Sequence, residues 1–229
     1  IDLCNFLSQL GVRFEGLGTS TLKVTGLELN KDVNIEYTII PDRIEAGTFM
    51  IASAASGGNI TLNNVEPNHL STVINSLEKS GTIFDISKNK ISLSASDSIE
   101  AVDIETDVYP GFPTDLQAQW IALMSISKGV SNVSDTIYLD RFTHVPELIR
   151  LGANISMNNN IATINGVEKL YGTQVMSTDI RASASLIIAA IISTGKTDLS
   201  RIYHIDRGYE NIEFKLSKLG VDITRINEG

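Results

Sequence analysis

A glycine recurs about every 70 residues in this chain, and each time it ends an amphipathic segment. Before the glycine, apolar residues follow the 3.6-residue period of a helix, and after it they alternate as in a strand. The four positions are Leu10-Gly11-Val12, Ser80-Gly81-Thr82, Leu151-Gly152-Ala153 and Leu219-Gly220-Val221. Spacing this regular indicates a repeated supersecondary unit.

The residues around each glycine predict the second half of this unit. The glycine provides a left-handed helix end, and a strand, a polar turn and a returning strand follow it. Turns are predicted at residues 87–89 and 158–160, before returning strands at 91–93 and 161–164. An alternating strand is also predicted at residues 221–226.

A second type of helix alternates with the first and is rich in small and apolar residues. It is predicted at residues 46–56, 118–127 and 182–193, each time shortly after Asp42, Asp115 or Asp179. Helices that are apolar on most sides are expected to be buried. An aspartate in this place can accept hydrogen bonds from the free N–H groups of the helix start, as an N-cap or a first-turn charge.

The combined order is strand, buried helix, strand, amphipathic helix, strand, strand. Mixed sheets packed on buried helices follow from it, so the predicted class is α/β or α+β. Residues 41–229 hold three βαβαββ copies, and residues 1–40 hold only the back half of another. We therefore expect residues 1–40 to be the remnant of a preceding repeat domain in a longer protein.

Composition excludes several classes of function. The 229 residues are 42% hydrophobic and can bury a sizeable core, and the net charge of −9 argues against binding to nucleic acid or an anionic membrane. No apolar run approaches the ~18 residues of a membrane span. The single cysteine and three dispersed histidines argue against a disulfide framework or a metal centre, and they fit a reduced, cytosolic setting. No phosphate-binding glycine motif is present.

Three arginines fall where helices are predicted to begin: Arg141, Arg181 and Arg207. A cation is unfavourable at a helix N-terminus, whereas a bound anion there would interact with both the guanidinium groups and the backbone N–H groups. The alternative is simple ion pairing with the neighbouring Asp140, Asp179 and Asp206. Structural roles are expected for the three histidines, His69, His144 and His204, and for Cys4.

Four segments carry a resemblance to a known family. They are FPTDLQAQ at residues 112–119, RFTHVPEL at 141–148, QVMSTDIRASASL at 174–186 and RIYHIDRGYE at 201–210. They closely resemble the C-terminal part of UDP-N-acetylglucosamine enolpyruvyl transferases (UDP-N-acetylglucosamine 1-carboxyvinyltransferases, the MurA family), and the similarity runs in register along the whole chain.

The resemblance implies two domains of three βαβαββ copies each, arranged as an inside-out α/β barrel with the active site between them. It implies transfer of the enolpyruvyl group of phosphoenolpyruvate to the 3-hydroxyl of UDP-N-acetylglucosamine, without a cofactor. This is the first committed step of peptidoglycan synthesis, in the bacterial cytoplasm, and it serves cell wall biogenesis, cell shape and cell division.

The resemblance also implies roles for individual residues. Asp115 matches the aspartate proposed as general base for the sugar hydroxyl, and Asp179 matches a carboxylate acting in proton transfer or positioning. Arg207 matches an arginine that binds the phosphate of phosphoenolpyruvate, and Arg141 and Arg181 match arginines of the same anionic pocket. Ile137 matches an aliphatic position that binds the nucleotide sugar through its backbone.

The sequence departs from the family pattern in one important respect. The proton-donating cysteine and the active-site Lys-Asn pair of the family lie upstream of anything in this chain, and Cys4 occupies an ordinary helical position. We therefore expect the chain to supply one wall of the site, to need the N-terminal domain as partner and to be inactive alone. The alternative is a non-catalytic domain, derived from that family, that binds a nucleotide sugar or a protein.

Overall fold

The computed structural model describes residues 1–27 and 34–226, in two units that divide between Pro41 and Asp42. The first unit contains α1 (Asp2–Gln9) and an antiparallel pair, β1 (Arg13–Glu15) and β2 (Lys23–Thr25). Cys4 is half-buried in α1. None of the described side chains in this unit is fully buried.

The second unit contains the remaining elements in three successive groups. The first group comprises α2 (Arg43–Ser56), β3 (Asn59–Asn63), α3 (Ser71–Lys79), β4 (Ile83–Ser87) and β5 (Lys90–Ser94). The second comprises β6 (Ile104–Glu105), α4 (Gln117–Met124), β7 (Val130–Ser134), α5 (Val145–Arg150), β8 (Asn154–Asn158) and β9 (Ile161–Asn165). The third comprises β10 (Leu170–Tyr171), β11 (Gln174–Met176), α6 (Ile180–Ile191), β12 (Ser193–Thr194), β13 (Asp198–Ser200) and α7 (Ile212–Lys218).

The three helices rich in small residues, α2, α4 and α6, pack on one another at the centre of this unit. All eight residues of α4 are buried, as expected for a helix that is apolar on most sides. The backbone of α2 lies very close to Leu116 at Gly47, where an added Cβ would lie 2.4 Å from a methyl group of Leu116. The buried side chains of these helices form the main core.

The two larger sheets pack against α2 and α4. Strands β3, β5 and β4 form an antiparallel sheet, and β6, β7, β9 and β8 form a mixed one in which only the β6–β7 pair is parallel. Two short parallel pairs, β10–β12 and β11–β13, complete the unit. Alternate residues of β5, β7 and β9 are buried, so one face of each sheet contributes to the core.

Helix ends follow the sequence prediction. Asp42 caps α2 by accepting from the N–H groups of Ile44 and Glu45, and Asp179 caps α6 by accepting from Arg181 and Ala182. The four repeated glycines all adopt positive φ angles, between 96° and 107°. Asp115 differs, because it lies inside a 3₁₀ turn, Thr114–Leu116, that precedes α4.

Three details differ from the sequence prediction. Only the second group contains all six elements of the repeat, because in the second unit no described strand precedes α2 and none follows α7. The strand predicted at residues 221–226 is absent, since no described segment pairs with it and a strand needs a hydrogen-bonded neighbour. Helix α4 ends at Met124 rather than near Ser127.

None of the described helices is both long and apolar enough to span a lipid bilayer.

Candidate active site

The candidate site is centred on Asp115, in the turn that leads into α4. Its Oδ1 atom accepts hydrogen bonds from Nη1 of Arg141 at 2.5 Å and from Nε of Arg181 at 3.0 Å. The side chains of Asp115, Arg141 and Arg181 are 34%, 23% and 20% exposed. The three residues therefore form a partly buried cluster that remains open to a ligand.

The two arginines keep Asp115 ionised. Burial raises the pKa of its carboxyl group, but the hydrogen bond from Arg141 and the charges of Arg181 and Arg141 outweigh burial and lower the pKa below 3.8. The carboxyl group is thus ionised at neutral pH, and it already has two cationic partners.

Arg141 lies in the segment between β7 and α5. Its backbone N–H donates to the carbonyl of Tyr138 at 3.1 Å, and its guanidinium lies 5.2 Å from the centre of the Tyr138 ring. Ile137, in the same turn, has a 45% exposed side chain. Its N–H donates to Oδ1 of Asp135 at 3.0 Å, so its backbone is held while its side chain faces solvent.

Arg181 lies in the first turn of α6, which Asp179 caps. Oδ1 of Asp179 accepts the N–H of Arg181 at 2.7 Å, and Oδ2 accepts the hydroxyl of Thr143 at 3.0 Å. Burial raises the pKa of Asp179, but the hydrogen bonds from the N–H groups of Ala182 and Arg181 and from the Thr143 hydroxyl outweigh burial, so the pKa lies below its ordinary value. Asp179 therefore fixes the backbone of Arg181 and connects it to the segment that contains Arg141.

Arg207 is exposed at the end of the 3₁₀ turn Ile202–Arg207, which packs on α6. It forms no ion pair within residues 1–27 and 34–226. Its backbone is well anchored, since an added Cβ on Gly208 would lie 2.5 Å from Ile180 and Tyr209 is 2% exposed. Arg207 thus lies beside the start of α6, the helix that contains Arg181, but it is not bonded to Asp115.

The three arginines do not pair with the aspartates nearest to them in sequence. Asp206 accepts two hydrogen bonds from Arg225 at 2.7 and 3.0 Å, Asp179 caps α6, and Asp115 takes both Arg141 and Arg181. The simple pairing with Asp140, Asp179 and Asp206 is therefore wrong. Two cations share one carboxylate and a third has no acidic partner among the described residues, which leaves net positive charge for an anion.

His144 is buried behind this cluster, with 2% exposure and a ring stacked on Phe142 at 6.4 Å. Its Nε2 atom has no hydrogen-bond partner in the described part of the chain. Burial lowers its pKa to about 4, although the charge of Asp179 acts in the opposite direction. His144 is therefore neutral at physiological pH, and its position supports the structural role expected from sequence.

Sequence reasoning missed the residues that support the cluster from inside. Nε2 of Gln119 donates to the carbonyl of Asp115 and to the hydroxyl of Thr48, both at 3.1 Å, and Thr48 is 2.7 Å from the hydroxyl of Tyr209. Asp135 was also missed. Both sets connect elements distant in sequence, so no local pattern could indicate them.

Within the described residues, no group of three His, Cys, Asp or Glu side chains is placed to hold a metal ion. The chemistry available at the cluster is binding of an anionic group by guanidinium donors and proton transfer to a carboxylate. Both the binding and the proton transfer depend on charged side chains that are already in position before a ligand binds.

The chain is similar to known enolpyruvyl transferases. Residues 1–216 match the family described as EPSP synthase (3-phosphoshikimate 1-carboxyvinyltransferase). The UDP-N-acetylglucosamine 1-carboxyvinyltransferase of Chloroherpeton thalassium is 47% identical over 98% of this chain and 52% of its own length. That of Campylobacter lari is 46% identical over 100% of this chain and 54% of its own length.

Solved structures give the same result for the fold. The enolpyruvyl transferase NikO from Streptomyces tendae superimposes with a TM-score of 0.84 and 26% identity, over 97% of this chain and 53% of that one. EPSP synthase from Acinetobacter baumannii gives 0.56 at 13% identity, over 71% and 40% of the two chains. The predicted enolpyruvyl transferase-like α/β fold is confirmed. The chain spans about half the length of the curated relatives that it matches, and it corresponds to their C-terminal half.

Proposed function

The chain belongs to the EPSP synthase family of enolpyruvyl transferases, and we propose that it forms one side of the active-site cleft of a UDP-N-acetylglucosamine 1-carboxyvinyltransferase. The reaction transfers the enolpyruvyl group of phosphoenolpyruvate to the 3-hydroxyl of UDP-N-acetylglucosamine and releases phosphate. It begins peptidoglycan synthesis in the cytoplasm, and cell wall biogenesis and cell division depend on it.

The observation that carries this proposal is the sharing of Asp115 by Arg141 and Arg181. In the free chain, Asp115 neutralises part of the positive charge of the two guanidinium groups. An anionic substrate group that binds to them neutralises this charge instead. The carboxylate is then free to accept the proton of the sugar hydroxyl. Guanidinium groups already in place also stabilise the charge of a phosphorylated intermediate without further reorganisation.

The other residues act around this pair. Arg207, without an acidic partner among the described residues, binds the phosphate of phosphoenolpyruvate. Asp179 acts mainly in positioning, because its carboxylate oxygens already accept the hydrogen bonds that hold the start of α6. Ile137 contacts the nucleotide sugar from the rim of the site. The N-terminal domain supplies the opposite wall of the cleft.

The test joins this chain to the N-terminal half of the Chloroherpeton thalassium relative. Phosphate release from phosphoenolpyruvate and UDP-N-acetylglucosamine is expected from the joined protein and not from this chain alone. Asp115→Asn is expected to lower turnover ~10²- to 10⁴-fold, because general-base catalysis contributes that much.

The matched control is Asp103→Asn, which removes an exposed carboxylate that accepts from the N–H of Asn132 at 2.7 Å. It should leave turnover unchanged. For Arg207→Ala, the control is Arg150→Ala, at an exposed arginine on α5. Full activity of both Asp115→Asn and Arg207→Ala would favour the alternative, a domain that only binds a nucleotide sugar or a protein.

A further inference from the structure

Asp135 is a fully buried carboxylate at the end of β7 that the proposed reaction does not use. Its Oδ1 atom accepts from the Thr106 hydroxyl at 2.8 Å and from the N–H groups of Ile137 and Tyr138 at 3.0 and 2.8 Å. Its Oδ2 atom accepts from the Thr114 hydroxyl at 2.6 Å. Four donors from three separate segments thus meet on one side chain.

A buried carboxylate is costly unless it is fully hydrogen-bonded. Across the described residues, no Lys, Arg or His forms an ion pair with Asp135, so these four donors alone compensate its charge. An apolar side chain in this place would leave the two hydroxyls and the two N–H groups without their acceptor, which is costly for buried donors. Asp135 therefore ties together the segments that carry these donors, and the identity of those segments is the informative feature.

Two of the joined segments carry the candidate site. Thr114 immediately precedes Asp115 in the 3₁₀ turn before α4. The Ile137–Tyr138 backbone forms the turn whose carbonyl accepts the N–H of Arg141, and the Tyr138 ring lies beneath its guanidinium. One carboxylate therefore bonds to the segments on both sides of the hydrogen bond between Arg141 and Asp115, through the Thr114 hydroxyl on one side and two backbone N–H groups on the other.

We propose that Asp135 is a positioning residue that sets the distance and angle between Asp115 and Arg141. Oδ2 holds the Asp115 side through Thr114, and Oδ1 holds the Arg141 side through Ile137 and Tyr138. The catalytic consequence rests on the proposed function, but the geometric claim concerns this chain alone. A displacement of catalytic groups by ~1 Å can cost ~10²-fold in rate.

The competing explanation is that Asp135 only supports the sheet. The backbone of Asp135 also forms hydrogen bonds with Asn160, and these join the end of β7 to the turn between β8 and β9. Its side chain bonds Thr106, which follows β6, so it also joins β7 to β6. A purely structural role predicts loss of thermal stability with no effect on Asp115. The decisive variant therefore removes only the bond on the Asp115 side.

Thr114→Val is that variant, because valine keeps the shape of threonine and removes the donor to Asp135. The measurement is the pKa of the Asp115 carboxyl group by ¹³C NMR in the whole chain, with its resonance assigned by comparison with Asp115→Asn. We expect the pKa to rise toward 3.8 as the Arg141 bond loosens. Thr114→Ser, which keeps the hydroxyl, should restore the wild-type value.

The matched control is Thr163→Val in β9, where the lost hydroxyl bond of 2.9 Å goes to Asn132 instead. It should leave the Asp115 pKa unchanged. An unchanged pKa in Thr114→Val, with or without a lower melting temperature, would overturn the proposal. Because no turnover is measured, this result is separate from any failure of the proposed reaction.

The joined protein adds a kinetic readout. There, Thr114→Val should lower kcat/KM ~10-fold or more, while Thr114→Ser and Thr163→Val should not. Asp135→Asn should act in the same direction as Thr114→Val, because its amide nitrogen cannot accept a hydrogen bond. Wild-type kcat/KM in Thr114→Val would contradict the positioning role even if the fold is weakened.

Discussion

At the scale of single residues, the site is held by one carboxylate between two guanidinium groups. The three residues lie 26 and 66 positions apart, in three different segments. Sequence identified the two arginines as unusual, since arginine is unfavourable at a helix start. It could not identify their partners, because a residue's nearest charge in sequence need not be its nearest charge in space.

The Asp115 cluster predicts a defined response to acid. The pKa of Asp115 is lower in the folded chain than its ordinary 3.8, so the folded state binds this proton less tightly than the unfolded state. The stability contribution is therefore complete well above pH 3.8 and is lost as the pH falls below 3.8 through the folded-state pKa.

Urea unfolding of wild type and Asp115→Asn at several pH values between ~5 and ~2.5 checks this response. The difference in unfolding free energy should shrink as the pH falls, and Asp103→Asn serves as the control. A difference that is constant, or that grows toward acid pH, would show that Asp115 is not held ionised by the arginines.

His144 predicts a response at higher pH. Its pKa falls from 6.5 to about 4 on folding, so the buried ring stays neutral while the unfolded chain takes up the proton. Stability from this residue is complete above pH 6.5 and is lost as the pH falls from 6.5 toward 4, by ~3 kcal/mol in total.

In His144→Gln that part of the pH dependence should disappear, whatever the variant's stability at pH 7. The measurement is again the unfolding free energy, at pH 7.5, 6, 5 and 4. His69→Gln, at a partly exposed histidine beside Tyr109, is the control. The same slope in wild type and His144→Gln would contradict the burial argument.

At the scale of elements, sequence predicted the helices well because their signals are local. The 3.6-residue period, the aspartate before the helix and the glycine after it all lie within one segment, and Asp42 and Asp179 do cap their helices. The strand expected at residues 221–226 was wrong for the opposite reason. Alternation indicates which face a strand would bury, but a strand also requires a partner elsewhere in the chain.

The cap of α2 gives a prediction for one element. Oδ1 of Asp42 accepts the N–H of Ile44 at 2.7 Å and that of Glu45 at 3.2 Å. Asp42→Ala removes this acceptor and should cost ~1 kcal/mol of unfolding free energy. Asp42→Asn retains an acceptor oxygen and should cost clearly less. Equal losses in the two variants, measured by urea unfolding, would mean that the side chain acts through its charge rather than as a cap.

At the scale of the whole molecule, the buried side chains are unevenly distributed along the chain. Every buried side chain in the two hydrophobic clusters comes from residue 46 or later. No side chain is fully buried in residues 1–27 or 34–41. That residues 1–40 are the remnant of another repeat domain stays a prediction, because the burial of side chains in residues 42–229 does not show to which domain residues 1–40 belong.

That prediction can be tested by truncation. Residues 42–229 alone should unfold in one cooperative transition, because they contain all the described core, whereas a peptide of residues 1–41 should show little structure by circular dichroism, since a chain of ~40 residues buries too little apolar surface to fold. A second truncation that begins at residue 52 removes most of α2, including the buried Met50 and Ile51, and should abolish cooperativity. Loss of the cooperative transition in both truncations would mean that residues 1–41 are an integral part of the core domain.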